Sequence, residues 1–319
     1  MNETKGIVGS TIAHATIVTV LMLLFLWPAG GSEPRELPIG LVGPAQQTSQ
    51  MAAMIESQQP GALAITEYES RTEAEAAIDA REIYGALVLG PQPEAVVASG
   101  ANASVAALIQ DLGDSLVKAS LRQQGMQVPE LKVTDRALLP ESDPRGMVFG
   151  SSSLPLVIGG ISLGALASLR LKRVSSRIVL ATSASVTTGF VAAAVLGGIF
   201  GALPGDYLMN ALAMSAVIGA IGFALIGMHA VMGLAGFGIM AATLFLIGNP
   251  LNGVAMPAEF YPEGWGGVGQ LMPIGAGFEL IKRINFFELA DQSTQWWVLT
   301  AWIVVGLGLS LLKIQKQPS

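Results

Sequence analysis

Six apolar runs free of Asp, Glu, Lys and Arg dominate this sequence, and each is near the length of about 20 residues that crosses a bilayer core. They are Gly6–Leu26, Met147–Leu169, Ile178–Leu203, Leu208–Met228, Ala230–Gly248 and Trp296–Leu312. The fourth and fifth abut at His229. Only 13% of the 319 residues are charged, about half the share in a soluble globular chain. The reading is therefore a polytopic α-helical membrane protein with six transmembrane helices. With no cysteine, disulfide scaffolds, thiolate metal sites and cysteine nucleophiles are excluded. Two histidines, His14 and His229, leave little material for a metal centre, and no metal site is expected.

The basic residues orient the chain. Lys5, then Arg170, Lys172, Arg173 and Arg177, then Lys313 and Lys316 flank spans one, two/three and six, with Glu3 as the one acid among them. Short loops retain Lys and Arg on the cytoplasmic side, so both termini are expected inside a bacterial-type plasma membrane. Residues 30–146 are then outside, and they hold sixteen Asp or Glu against eight Lys or Arg. A cleaved signal peptide is the rival for the first run. Trp27-Pro28-Ala29-Gly30-Gly31 lacks a clean small-x-small site, so residues 1–29 are read as a retained helix.

Residues 30–146 read as a small extracytoplasmic α/β domain inserted between helices one and two. Strand-like runs at Leu37–Val42, Leu63–Thr66, Tyr84–Leu89, Ala95–Ala98 and Leu131–Leu138 alternate with helical ones at 46–58, after Thr72-x-x-Glu75, and at 102–123. No nucleophile elbow, paired-histidine motif or glycine-rich phosphate loop occurs in it. Asp111 and Asp114 share a helix face, where solvation is the simpler account. Asn102-Ala103-Ser104 matches a glycosylation sequon.

Residues 147–319 form the membrane half. Gly160 and Gly164, and Gly197 and Gly201, are spaced to lie on single helix faces and admit close helix packing. No charged residue lies within a span, which argues against an ion-coupled carrier; His14 and Asn210 are the intramembrane polar candidates, expected as helix-packing hydrogen bonders. Residues 249–295 carry aromatics between prolines, a composition suited to a re-entrant external loop of short broken helices. Pro257, Trp265, Pro273, Glu279 and Arg283 are its candidate gating residues, and Glu279 is spaced to meet either Lys282 or Arg283 along a helix. No Gly-Lys-Ser/Thr P-loop is present, so energy for any pumping must come from another subunit on the cytoplasmic face, where Arg170, Lys172, Arg173 and Arg177 are either its ATPase-coupling loop or basic anchors that only set the topology. Catalytic residues are not expected.

The layout resembles the type-2 ABC exporter permease family, in the branch with a large external domain after the first helix. The resemblance is carried by Leu37-Pro38-Ile39-Gly40-Leu41-Val42, by Ala76-Ala77-Ile78 followed by Tyr84-Gly85-Ala86-Leu87-Val88-Leu89, and by the last loop with Met256-Pro257-x-x-Phe260, Trp265, Leu271-Met272-Pro273 and Arg283. Phage-infection-protein-like proteins and a type VII secretion accessory protein share this layout. The resemblance implies a homodimer, or a heterodimer with a related permease, set in membrane lipid. It also implies a separate nucleotide-binding ATPase subunit that supplies ATP and Mg, with no cofactor in this chain and no nucleic-acid partner. Exporter permease is then the leading function, and a membrane receptor or structural protein whose external domain binds a cell-envelope, secretion-system or phage partner is the alternative.

Overall fold

The computed structural model describes residues 2–30, 33–122, 131–254 and 256–312. Lys313 and Lys316, used above for orientation, and Gln123, the expected end of the long helix, lie outside the described residues.

A first helix, α1 (Asn2–Gly30), leads into a five-stranded sheet. Its strands are β1 (Leu37–Val42), β2 (Leu63–Tyr68), β3 (Gly85–Val88), β4 (Glu94–Val97) and β5 (Lys132–Asp135), in the order β2-β1-β3-β4-β5. β3 and β4 pair antiparallel as a hairpin, and the other neighbours are parallel. The parallel pairs are joined through α2 (Ala45–Gln58), α3 (Arg71–Asp79) and α4 (Ala103–Arg122). Leu37, Ile39 and Leu41 of β1 are at most 1% exposed, and Val42 and Gly40 are buried beside them. Burial on both faces is the state that an unbroken apolar run such as Leu-Pro-Ile-Gly-Leu-Val requires.

Two local features differ from the sequence reading. α3 starts earlier than the Thr72-x-x-Glu75 pattern suggests, because Ser70 is its N-cap and accepts a hydrogen bond from the Glu73 amide. Glu75 pairs instead with Arg71, at 3.2 Å one turn away. Asn102 is buried, and its amide oxygen accepts from the Ser104 and Val105 amides at the start of α4. That capping role accounts for the residue without a glycan. Asp114 pairs with Lys118 on the solvated face of α4.

The membrane half begins at α5 (Met147–Ser151) and α6 (Ser153–Arg170). Asp143, buried in the preceding linker, accepts from the Val148 and Phe149 amides and so caps α5. α7 (Val174–Ala193) ends in a π-helical turn over Ala194–Ile199. α8 (Tyr207–Ala242) is the axis of the bundle, buried almost all round from Asn210 to Gly227, and it packs against α6, α7 and α11 (Ser293–Leu312). Between α8 and α11 lie a second π-helical turn (Thr243–Gly248), a single 3-10 turn at Ala258–Phe260, α9 (Trp265–Leu271) and α10 (Pro273–Phe286). Among the described residues, four helical stretches are long and apolar enough to cross a membrane: Met147–Arg170, Val174–Ile199, Tyr207–Gly248 and Ser293–Leu312. A shorter apolar stretch, Ser10–Val20, lies within α1.

The third stretch is divided. His229, the expected boundary between spans four and five, falls inside regular helix, and the break is at Gly233 (φ 66°, ψ −147°). Glycine alone adopts that conformation without strain. A Cβ placed on Gly236 would lie 2.4 Å from the Met228 carbonyl oxygen, so the chain doubles back and the limbs on either side of Gly233 form a helical hairpin.

The glycine pairs also separate. A Cβ on Gly160 would sit 2.6 Å from Ile221, and one on Gly164 2.7 Å from Leu225, so this face of α6 is pressed against α8 of the same chain. Gly197 and Gly201 do not share a helix face. The helix ends at Ile199, and Gly201 (φ 62°) lies in the following turn, where its carbonyl accepts from the Ser142 hydroxyl at 2.7 Å.

Candidate functional site at the domain junction

α10 belongs to two hydrophobic cores at once. Pro273 stands at its first position, where a missing N–H costs nothing. Ile274, Phe278, Leu280 and Ile281 are buried in the helical bundle. Past its other end, Phe287 and Ala290 are buried in the core of the α/β domain, with Phe286 packed against it. Gly100 lets that end approach, since a Cβ there would meet the Phe286 ring at 2.6 Å. At 14 residues, roughly 21 Å of helix, α10 is too short to cross a bilayer core and instead ties the sheet to the bundle.

The polar contacts at this junction start from the end of α3. The Glu82 amide bonds to the Ala77 carbonyl and the Arg81 amide to the Ile78 carbonyl, each at 2.9 Å, which is the Schellman pattern that usually places glycine at the left-handed position. Here the residue is Arg81, at φ 63°, a conformation that costs an L side chain on the order of 1–2 kcal/mol. The side chain it carries spans the junction. Its guanidinium lies over the Tyr84 ring at 4.1 Å and near the Phe287 ring at 5.5 Å, and Nε is 3.6 Å from Glu279 Oε1 on α10. Tyr84 donates from its hydroxyl to Glu259 Oε2 at 2.8 Å. Arg35 adds backbone and side-chain bonds to the Glu259 and Phe260 carbonyls.

Glu279 also accepts from Arg283 Nε at 3.0 Å, one turn on, while Lys282 Nζ donates to the Gly253 carbonyl at 2.9 Å. Of the two bases within helical reach of Glu279, Arg283 is thus its hydrogen-bonded partner. Burial alone would raise the Glu279 carboxyl, but Arg81, Lys282 and Arg283 together hold it below the usual range. Burial pushes the Lys282 ammonium down to about 8, against the opposing pull of Glu279. Tyr84 is raised, chiefly by burial. These shifts mark a low-dielectric seam whose charges depend on one another.

Two clefts of about 490 Å³ flank this seam, and Lys282 lines both. One runs between Asn102, Arg145, Asn249 and Tyr261. The other runs between Arg81, Glu259, Glu279 and Gln295. Among the described residues, no group of three or more His, Asp or Glu side chains converges where a metal ion could sit.

The expected site residues fall in three places. Glu279 and Arg283 are in the junction, beside Pro257, which precedes the 3-10 turn, and Trp265 and Pro273 open α9 and α10. Arg170, Lys172 and Arg173 are exposed at the opposite end of α6, roughly 27 Å of helix away. Arg177 turns inward, donating to the Leu171 and Ser168 carbonyls at the end of α6, so it closes the loop rather than presenting a charge. The polar candidates diverge: Asn210 is 1% exposed and bonded to Asn285, whereas His14 is exposed on α1. Arg81, Tyr84, Glu259, Gln295 and Asn285 were not singled out by the sequence. The one available signal for Arg81 was a helix ending at Asp79-Ala80-Arg81-Glu82 with no glycine to terminate it.

Residues 6–138 match the family model described as ABC-2 family transporter protein. The match runs through α1 and the α/β domain to β5 and stops before the helical bundle. Over that stretch the chain is similar to ABC-2 family transporters, and its long apolar helices suit a multi-pass membrane protein. No curated protein and no solved structure matches the chain.

Proposed function

We propose that this chain is the permease subunit of an ATP-driven exporter that moves a hydrophobic or amphipathic substrate outward by alternating access. A separate ATPase subunit energises it, and two permease subunits, identical or related, form the pathway. Six spans serve each subunit: α1, α5 with α6, α7, the two limbs of α8, and α11. The α/β domain stands outside and both termini inside.

The observation that carries this reading is the family match over α1 and the α/β domain. Two features support it. The basic loop after α6 offers three exposed cations within four residues, a compact handle for a cytoplasmic subunit. α10 mechanically connects the outer domain to the bundle axis, so a rearrangement of α8 is felt at the domain. In this reading α9 and α10, with Pro257, Trp265, Pro273, Glu279 and Arg283, close the outer end of the pathway.

The test is co-purification of the full chain from native membranes. A P-loop ATPase is expected with the wild type and lost on charge reversal at Arg170, Lys172 and Arg173. Recovery of the same partners from the reversed variant, or of no ATPase from either, would overturn the exporter reading in favour of a receptor or structural role.

A further inference from the structure

The cleft between Arg81 and Gln295 holds two buried polar atoms that lack a hydrogen-bond partner among the described residues. Arg81 Nε is one: its side chain is 7% exposed, and although Glu279 Oε1 stands 3.6 Å away, no described residue accepts a hydrogen bond from this N–H. Gln295 Oε1 is the other: the residue is 9% exposed and its amide oxygen has no donor among the described residues. Lys282, 4% exposed in the wall of the same cleft, uses Nζ toward the Gly253 carbonyl, one bond for a group with three donors. Buried polar groups are nearly always paired, and each orphan costs on the order of a hydrogen bond's desolvation. One wall thus lacks an acceptor, and another lacks a donor.

The charges of the lining sharpen this demand. Arg81, Lys282 and Arg283 are balanced by Glu82, Glu259 and Glu279, so the lining is charged yet neutral as a whole. A ligand with net charge would leave that balance uncompensated. A ligand with a separated anion and a cationic N–H group would not.

Position identifies the source. Thr294, Gln295 and Val298 belong to the first turns of α11, and Leu271, 62% exposed, closes α9 beside them. Trp297, on the same turns, is 73% exposed, and Trp302 donates from its indole to the Leu271 carbonyl at 2.8 Å. Tryptophans at the end of an apolar span mark the level of lipid headgroups. The cleft therefore lies at headgroup depth, in the leaflet next to the α/β domain, with an apolar rim of Leu271 and Val298.

We infer that this cleft binds the headgroup of a zwitterionic glycerophospholipid bearing a primary ammonium, that is, phosphoethanolamine. Its phosphate takes the spare donors of Arg81 and Lys282, its ammonium donates to Gln295 Oε1, and its acyl chains leave past Leu271 and Val298. The inference needs only that α11 spans a membrane, and it stands or falls separately from export.

The experiment is native mass spectrometry of the purified full chain in detergent, titrated separately with acyl-matched phosphatidylethanolamine, phosphatidylcholine, phosphatidylglycerol and soluble phosphoethanolamine. Phosphatidylethanolamine is expected to bind at least tenfold more tightly than phosphatidylcholine, which has no N–H donor, and than phosphatidylglycerol, which carries a net charge. Q295L, which leaves the Arg81 contacts intact, is expected to erase the preference over phosphatidylcholine. K282M is expected to weaken both zwitterionic lipids; should it fail to fold, Q295L carries the test alone. Equal retention of the three lipids, an unchanged preference in Q295L, or soluble phosphoethanolamine binding as tightly as the lipid would each overturn the assignment.

Discussion

Asn210 and Asn285 exchange a reciprocal pair of amide hydrogen bonds, Asn285 Nδ2 donating to Asn210 Oδ1 at 2.7 Å and Asn210 Nδ2 donating to Asn285 Oδ1 at 3.1 Å. Both amides also engage backbone. Asn285 accepts from the Gly205 amide and donates to the Ile281 carbonyl, and Asn210 donates to the Asp206 carbonyl. The first turn of α8 is thereby fastened to the last turn of α10.

Removing one partner strands the other. Asn285→Ala is expected to destabilise the chain by about 1–3 kcal/mol, read by SDS titration in mixed micelles. The double variant Asn210→Ala/Asn285→Ala should cost less than the sum of the single ones. Additivity within about 0.5 kcal/mol would mean that the pair does not act as a unit.

Neighbouring glycines in α6 should respond differently. Gly160→Ala places its Cβ 2.6 Å from Ile221, whereas a Cβ on Gly159 meets nothing within 4 Å. Overpacking costs about 1–3 kcal/mol, so Gly160→Ala is expected to lower the melting temperature in fluorescence-detected size exclusion. Gly159→Ala should leave it unchanged or raised, because alanine favours helix. The same response from both would contradict close packing of α6 on α8.

Much of this architecture is legible in the residues. Leu37–Val42 reads as a strand because a two-sided buried strand needs a continuous apolar run, and the strand occupies those residues. The α8 hairpin is less legible. Gly219, Gly222, Gly227, Gly233 and Gly236 look alike in sequence, and only the fold distinguishes Gly227, which faces Gly306 across a helix contact, from Gly233, which turns the chain. Four-residue spacing places Gly160 and Gly164 correctly on one face, yet it misleads at Gly197 and Gly201, because helix termination at Ile199 comes between them. The junction was hidden for another reason: Arg81, Glu259 and Glu279 are far apart along the chain, and their pairing depends on tertiary placement that no local pattern encodes.

Arg81 permits a backbone effect to be separated from a side-chain one. Arg81→Gly should relax the left-handed position at the end of α3 by about 1 kcal/mol while removing the contacts to Tyr84, Phe287 and Glu279. Hydrogen exchange is expected to quicken along 279–286 but not in β1. Arg81→Lys, which keeps the charge without the planar fork, should fall between the two. Unchanged exchange in α10 for Arg81→Gly would remove Arg81 from its role as a clasp.

Lys282 gives a pH dependence of defined sign. Its folded-state value of about 8 lies below the ordinary lysine value of about 10.4. Between these limits the unfolded chain holds a proton that the folded chain has released, so stability rises with pH across that window and is lowest below it. Unfolding measured from pH 7 to 10 should show this rise in the wild type and not in Lys282→Met. Parallel profiles would refute it.

The turn at Gly233 limits where the partner subunit proposed above can take hold. Gly160 opposes Ile221 and Gly164 opposes Leu225, so α6 and the first limb of α8 run side by side in the same direction and finish at the same end of the bundle. There the hairpin closes through Val231-Met232-Gly233-Leu234, with no charged residue and almost no length to protrude. Of these two neighbouring ends, only the one at Arg170, Lys172 and Arg173 is graspable. If the proposed subunit pulls there, its force reaches the bundle through α6, which is pressed beside the axis helix α8 and is not part of it.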